Sequence, residues 1–235
     1  EIRISDWSSD VCSSDLPGEI SLATGGILFL DELPEFSRAA LETLRQPLED
    51  REVTVSRVEA TVTYPANFQL VAAMNPCPCG HFPDLARCRC TEGQITRYLQ
   101  KISGPLLDRI DLCVEASPVT YGDIRGGGEN EASGAIRARV EQAREIQKER
   151  FMEENIRCNG EMAGRHIRKY CVLGKEEETF MEEIFEKLAL SARMHDRILK
   201  VARTMADLAG ASEIRLSDLC EAVSYVKSRE KFWGN

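Results

Sequence analysis

The run Ile27-Leu28-Phe29-Leu30-Asp31-Glu32 ends four apolar residues on two adjacent carboxylates. A short, continuous apolar stretch reads as a fully buried strand. Acids that follow such a strand emerge at the carboxyl end of a sheet, where open α/β folds bind ligands. One carboxylate there can hold a magnesium ion on a nucleotide while its neighbour orients an attacking water. Taken alone, the six residues describe equally well a strand that merely ends in solvated acids. Two further runs lie downstream. Leu70-Val71-Ala72-Ala73-Met74-Asn75 is a second apolar strand ending in an amide, and Leu106-Leu107-Asp108-Arg109-Ile110-Asp111 sets an arginine between acids.

A second chemical signal is Cys77-x-Cys79 followed, eight residues later, by Cys88-x-Cys90. Four thiolates suit a tetrahedral zinc ion, although one intervening residue per pair is tighter than the usual two to four. Pro76, Pro78 and Gly80 stiffen the first pair, and a loop with so little apolar content needs a staple. Reduced surface thiols or a redox pair are the alternatives. His81 adjoins the cluster as a substitute ligand or as a solvated side chain. Cys113, Cys158, Cys171 and Cys220 read as small apolar fillers.

The elements that must position these groups follow from local pattern. Ser37 caps a helix through Leu44 that Pro47 is expected to stop. From Glu52 to Thr63, valines and Ala60 alternate with polar residues as a β-hairpin whose tip lies near Ser56 and Arg57. Thr91-Glu92-Gly93-Gln94 is a capping-box sequence that starts a helix through Lys101. Leu112-Cys113-Val114 reads as another short strand. Gly126-Gly127-Gly128 marks a break. Beyond Ala132, three-and-four spacing predicts helices that include Ile136, Val140 and Ala143, then Lys175–Leu190, Arg193–Leu208 closed by Gly210, and Ser217–Ser228. The domain reading is therefore residues 17–125 as an α/β core, 126–134 as a linker and 135–235 as an all-α domain.

Bulk properties narrow the function classes. The 235 residues are 43% hydrophobic and 29% charged, as in globular proteins. No stretch approaches the roughly 20 apolar residues that span a bilayer, so no membrane role is expected. A net charge of −9 excludes a broadly basic surface that coats nucleic acid, so any such contact must be local. Nine cysteines without a secretory signal suggest a reducing compartment, and a cytoplasmic location is expected. Residues 1–16, with their repeated Ser-Ser-Asp and no structural period, resemble the translation of a sequencing adapter and are set aside from fold reasoning.

In order and spacing, the three runs resemble Walker B, sensor 1 and arginine-finger elements of AAA+ ATPases. Gly18-Glu19-Ile20-Ser21-Leu22-Ala23, the segment Leu44 to Asp50 and Asn75-Pro76-Cys77-Pro78-Cys79-Gly80 narrow the resemblance to the ComM/YifB family, relatives of the magnesium-chelatase I subunit. The resemblance covers Pro17 to Lys231. It implies a truncated P-loop NTPase core, a parallel sheet with helices, followed by a helical lid. It implies ATP and Mg²⁺ as cofactors, with Asp31 on the metal, Glu32 polarising water, Asn75 facing the γ-phosphate and Arg109 reaching the neighbouring subunit's nucleotide. Arg193, opening a lid helix, matches sensor 2, with Arg197 as a rival. The alternative for Arg109 is a surface pair with Asp108 or Asp111. Hexameric rings and DNA branch migration in natural transformation are what the family implies for partner and activity. The hairpin would face the pore, with Arg51 and Arg57 on a phosphate backbone; an ordinary surface hairpin is the alternative.

The usual phosphate cradle, Gly-x₄-Gly-Lys-Ser/Thr, does not occur in these residues. The only Gly-Lys pair, Gly174-Lys175, precedes three glutamates. The expectation is a fragment inactive in ATP hydrolysis by itself. Two other function classes remain open: a chelatase-like ATPase that remodels a protein partner, and a non-catalytic zinc-binding adaptor.

Overall fold

The computed structural model describes residues 18–56, 61–116, 121–125 and 131–233, and the chain divides into two units, residues 1–110 and 111–235. Residues 1–17, Arg57 and the triple glycine lie outside the described residues.

The first unit opens with a short helix, α1 (Glu19–Leu22), and strand β1 (Ile27–Leu30). Two helices, α2 (Arg38–Thr43) and α3 (Arg45–Asp50), lead into β2 (Glu52–Ser56) and β3 (Thr61–Pro65), with β4 (Gln69–Ala72) next. β1 pairs with β4 in parallel, Leu30 opposite Ala72, while β2 and β3 form the expected antiparallel hairpin with Ser56 opposite Thr61. Helices α4 (Glu92–Leu99) and α5 (Gly104–Leu107) complete the unit. Its core joins Leu30, Leu33, Leu41, Leu44, Tyr98, Leu99, Ile102 and Leu106.

Local caps form where their residues predict them. The Ser37 side chain accepts from the Ala40 N–H, and Thr91 and Gln94 make the reciprocal capping box of α4. As expected, the helix capped by Ser37 ends at Thr43 with Leu44 as its C-cap, so Pro47 does not lie within it. Pro47 sits in the first turn of α3, where its missing N–H has no intrahelical partner to lose. The expectation that β1 is fully buried is overturned: Ile27 and Phe29 are 63% and 58% exposed, with Val71 beside Phe29 exposed as well. Parallel strands bury both faces only when both are covered, and here one face of the pair is bare.

The second unit is helical: α6 (Tyr121–Arg125), α7 (Ser133–Arg150), α8 (Gly164–Tyr170), α9 (Lys175–Lys187), α10 (Ala192–Leu208) and α11 (Leu216–Trp233). Gly210 adopts the left-handed φ of +65° just past α10. Met194, Ile198, Leu199, Ala202 and Ala206 form the apolar stripe of α10 against Leu219, Ala222, Val223 and Val226. On α7 the spacing is right but half of it is unused: Ala143 and Gln147 are buried, whereas Ile136 and Val140 are exposed. The expected strand at Leu112–Val114 does not form among the described residues. A strand exists through ladder bonds to a neighbour, and this segment is irregular with Leu112 and Val114 exposed. Of the four cysteines taken as fillers only Cys171 is buried; Cys158 and Cys220 are exposed and Cys113 is partly so.

Candidate functional site

The parallel register of β1 and β4 brings Asp31 and Asn75 to the same, carboxyl, end of the pair. The ladder continues past the strands: Ala73 N–H donates to the Leu30 carbonyl at 2.9 Å and Leu33 N–H to the Ala73 carbonyl at 3.0 Å. Asp31, Glu32 and Asn75 are all exposed there. The Glu32 N–H donates to Asp31 Oδ1 at 2.9 Å, which fixes one carboxylate against the backbone of the next residue. Glu32 itself holds the left-handed conformation, φ 49° and ψ 48°. For a residue with a Cβ this costs about 1–2 kcal/mol, and such strain persists at ligand sites where the surroundings impose it. Buried Leu33 and Pro34 supply that constraint directly behind it.

Tyr98 is a site residue that the sequence reading passed over. It is buried on α4, and the backbone N–H of Asn75 is directed at its hydroxyl. Burial raises its phenol above the ordinary value, and the negative charges of Glu35, Cys77 and Glu32 push the same way. The phenol therefore stays neutral near the carboxylates. Its only sequence signal is the place in a capped helix, one residue before buried Leu99.

Arg109 follows α5 and makes neither of the expected surface pairs. It donates through one nitrogen to the Pro105 carbonyl at 2.6 Å and through another to Glu49. Its Nε is buried without a hydrogen-bond partner among the described residues. In the helical unit, Asp111 pairs with Arg197 at 2.8 Å. Arg193 is exposed in the first turn of α10, whose N-terminus the Ser191 hydroxyl caps by accepting from Met194. Arg51 ends α3 with a positive φ of 59° at the base of the hairpin, and Ala66 N–H donates to its carbonyl at 2.8 Å. Thr24 donates to the Pro65 carbonyl at 2.9 Å.

The four cysteines converge. The sulfur atoms of Cys77, Cys79, Cys88 and Cys90 all lie within 4.8 Å of one another. Cys77 to Cys79 is 3.4 Å, Cys79 to Cys88 is 3.6 Å and Cys77 to Cys88 is 3.8 Å. Zn–S bonds of about 2.3 Å in a tetrahedron place sulfurs ~3.8 Å apart, whereas a disulfide needs about 2.05 Å. The spacing fits a metal and not a bridge. Cys77 is buried and also accepts from the Phe82 N–H at 3.4 Å. The backbone N–H groups of His81 and Arg89 hold the Cys79 thiol down to about 6, while burial and the neighbouring Cys79 push Cys90 up to about 12. The set thus combines a thiol held low, Cys79, with two pushed up, Cys88 and Cys90.

The described residues thus form a small parallel strand pair with helices and with polar residues at its carboxyl end, followed by an all-helical region. The family description "Magnesium chelatase, subunit ChlI" matches residues 11–124, and that of the ChlI C-terminal part matches residues 130–226. The chain belongs to this magnesium-chelatase-like AAA+ family, in its ComM/YifB branch. It is 47% identical over 210 residues to "Competence protein ComM" of Haemophilus influenzae, covering 89% of this chain and 40% of that protein. "Uncharacterized protein YifB" of Escherichia coli is 46% identical over the same coverage, and an uncharacterized Mycobacterium tuberculosis protein is 39% identical over 209 residues, 89% of this chain and 41% of that one. The chain thus spans about two-fifths of the length of these relatives. Among the described residues no helix is long and apolar enough to cross a membrane.

Proposed function

We propose that the chain is the Walker B-to-lid portion of an ATPase that couples ATP hydrolysis to DNA remodelling in a homo-oligomeric ring. The observation that carries this is the common end of β1 and β4 shared by Asp31 and Asn75. Exposed carboxylate oxygens suit a hard cation, so Asp31 would hold Mg²⁺ on ATP, with Glu32 beside it as the water-polarising group and Asn75 toward the γ-phosphate. When bound, the magnesium ion neutralises charge that develops on the phosphoryl oxygens. Arg109 acts on the nucleotide of the next subunit after release from Glu49, and Arg193 is the phosphate contact of the helical domain, because Arg197 is already engaged by Asp111. The cysteine cluster holds a structural zinc ion, supported by the sulfur spacing. DNA runs against the hairpin, where Arg51 and Arg57 supply local positive charge. The ComM relative is named a competence protein, which favours nucleic acid as the substrate.

The test is ATP turnover by the full-length protein with and without branched DNA. Stimulation by branched DNA, lost in Glu32→Gln, is the expected result. Turnover that responds only to a protein partner would replace this reading with chelatase-type remodelling, which the family description also accommodates.

A further inference from the structure

Asn75 is separated by one proline from the first cysteine of the cluster, and the chain returns to it at once. The Gly80 N–H donates to the Cys77 carbonyl at 3.0 Å, closing a turn around Pro78 and Cys79. Gly80 has a φ of +79°, which side-chain-bearing residues rarely adopt. Its bare side lies against the Asn75 carboxamide: a Cβ built there would stand 3.7 Å from Asn75 Oδ1 and 3.8 Å from its Cγ. Tyr98, buried on α4, also lies near enough for the Asn75 backbone N–H to act on its hydroxyl. The sulfurs of Cys77, which opens the turn, and of Cys79, within it, both face Cys88. Whatever closes the cluster therefore fixes the turn, and the turn bounds the carboxamide.

We propose that the Cys77–Gly80 turn and Tyr98 are positioning elements for Asn75, so that metal occupancy of the cysteine cluster sets the orientation of the residue that faces the nucleotide's terminal phosphate. This rests on the reading of the cluster as a metal centre and of Asn75 as a phosphate-facing amide. Its physical content is a link between two sites otherwise treated separately. With the cluster closed, Cys77, Cys79, Cys88 and Cys90 share one ion and the turn cannot open. Without the ion, the turn is held on the cluster side only by the weak contacts among the sulfurs of Cys77, Cys79 and Cys88. Tyr98 anchors the backbone of Asn75 in either state; the turn controls its side chain.

The experiment follows the side-chain amide resonances of Asn75, assigned by Asn75→Asp, in the isotope-labelled 235-residue chain during titration with zinc. Cobalt substitution reports tetrahedral thiolate ligation independently. The expected result is that one equivalent of zinc moves and sharpens the Asn75 pair, and that Cys90→Ser, distant in sequence from the turn, loses both the metal and the shift. Tyr98→Phe should still bind one equivalent of zinc while its Asn75 backbone amide moves away from the wild-type position. Stoichiometric zinc binding with unmoved Asn75 resonances would overturn the coupling alone. A chain that takes up neither zinc nor cobalt would overturn the metal reading together with it. Resonances of the helical unit, unchanged in each variant, identify a folded sample.

Discussion

Arg109 donates to Glu49, sixty residues earlier in the chain, and so ties the segment after α5 to the end of α3. The pair is half exposed on the glutamate side, where ion pairs are worth ~0–1 kcal/mol. The guanidinium gives up little by leaving, which suits the role proposed for it at a neighbouring subunit's nucleotide. Its buried Nε lacks a partner among the described residues, and an unsatisfied buried donor costs about 1–3 kcal/mol.

Arg109→Met should accordingly leave thermal stability of this chain unchanged or slightly higher, while the same change in the full-length protein abolishes ATP turnover. Thermal melts paired with turnover assays check both halves. A large loss of stability would instead make Arg109 a structural residue.

The helical unit is held at a different kind of pair. Asp207 is buried and accepts from Arg150 through both oxygens, from Arg203 Nε at 3.1 Å and from Asn159 Nδ2 at 2.8 Å. Arg203 goes on to the carbonyls of Ala211 and Ser212, at 2.6 and 2.8 Å. One carboxylate thereby joins α7, the loop at Asn159, α10 and the turn into α11. Removing one partner strands buried cations, so Asp207→Ala should cost about 3–5 kcal/mol. Urea unfolding followed by helical circular dichroism measures it.

Thiol chemistry separates the cysteines. The Cys79 thiol, lowered to about 6, is ionised at neutral pH, and the Cys90 thiol, raised to about 12, is protonated. In metal-free chain, iodoacetamide should label Cys79 well before Cys90, with the Cys79 rate falling only as pH drops through about 6. For the folded state the signs are opposite. The Cys79 contribution is fully present above the unfolded thiol's 9.0 and is lost as pH falls toward 6, while that of Cys90 is present below 9.0 and is lost as pH rises toward 12. Zinc should protect all four cysteines, and its affinity should fall with acid because bound protons compete. Mass spectrometry of labelled peptides gives the order.

The bare face of β1 makes a third kind of prediction. Ile27 and Phe29 lie on it side by side with Val71, and contiguous exposed apolar residues mark a surface meant to be covered. Phe29→Thr should reduce binding of a hydrophobic dye by the 235-residue chain and change its stability by less than ~0.5 kcal/mol. A destabilisation of several kcal/mol would mean that Phe29 is buried in solution.

Helix α4 carries Tyr98, and its capping box joins Thr91 to Gln94 at 3.3 and 2.8 Å. Thr91→Ala should cost about 1 kcal/mol, read as a lower melting temperature for the first unit.

The Ser37 cap, the Thr91 capping box, the hairpin alternation, the long helices and the strand ends carrying Asp31 and Asn75 were legible because each depends on residues a few positions apart. The cysteine pairs were legible as candidate ligands, while the convergence of all four sulfurs within 4.8 Å is given by the structure. Tertiary structure alone decided that Arg109 meets Glu49 and not its acidic neighbours, that Asp207 collects two arginines, that Gly80 and Tyr98 bracket Asn75, and that a strand as apolar as β1 shows one face to water. Hydrophobic period and capping chemistry act within a turn or two of chain. Which distant charge finds which, and which apolar face finds cover, depends on how the elements are brought together in space.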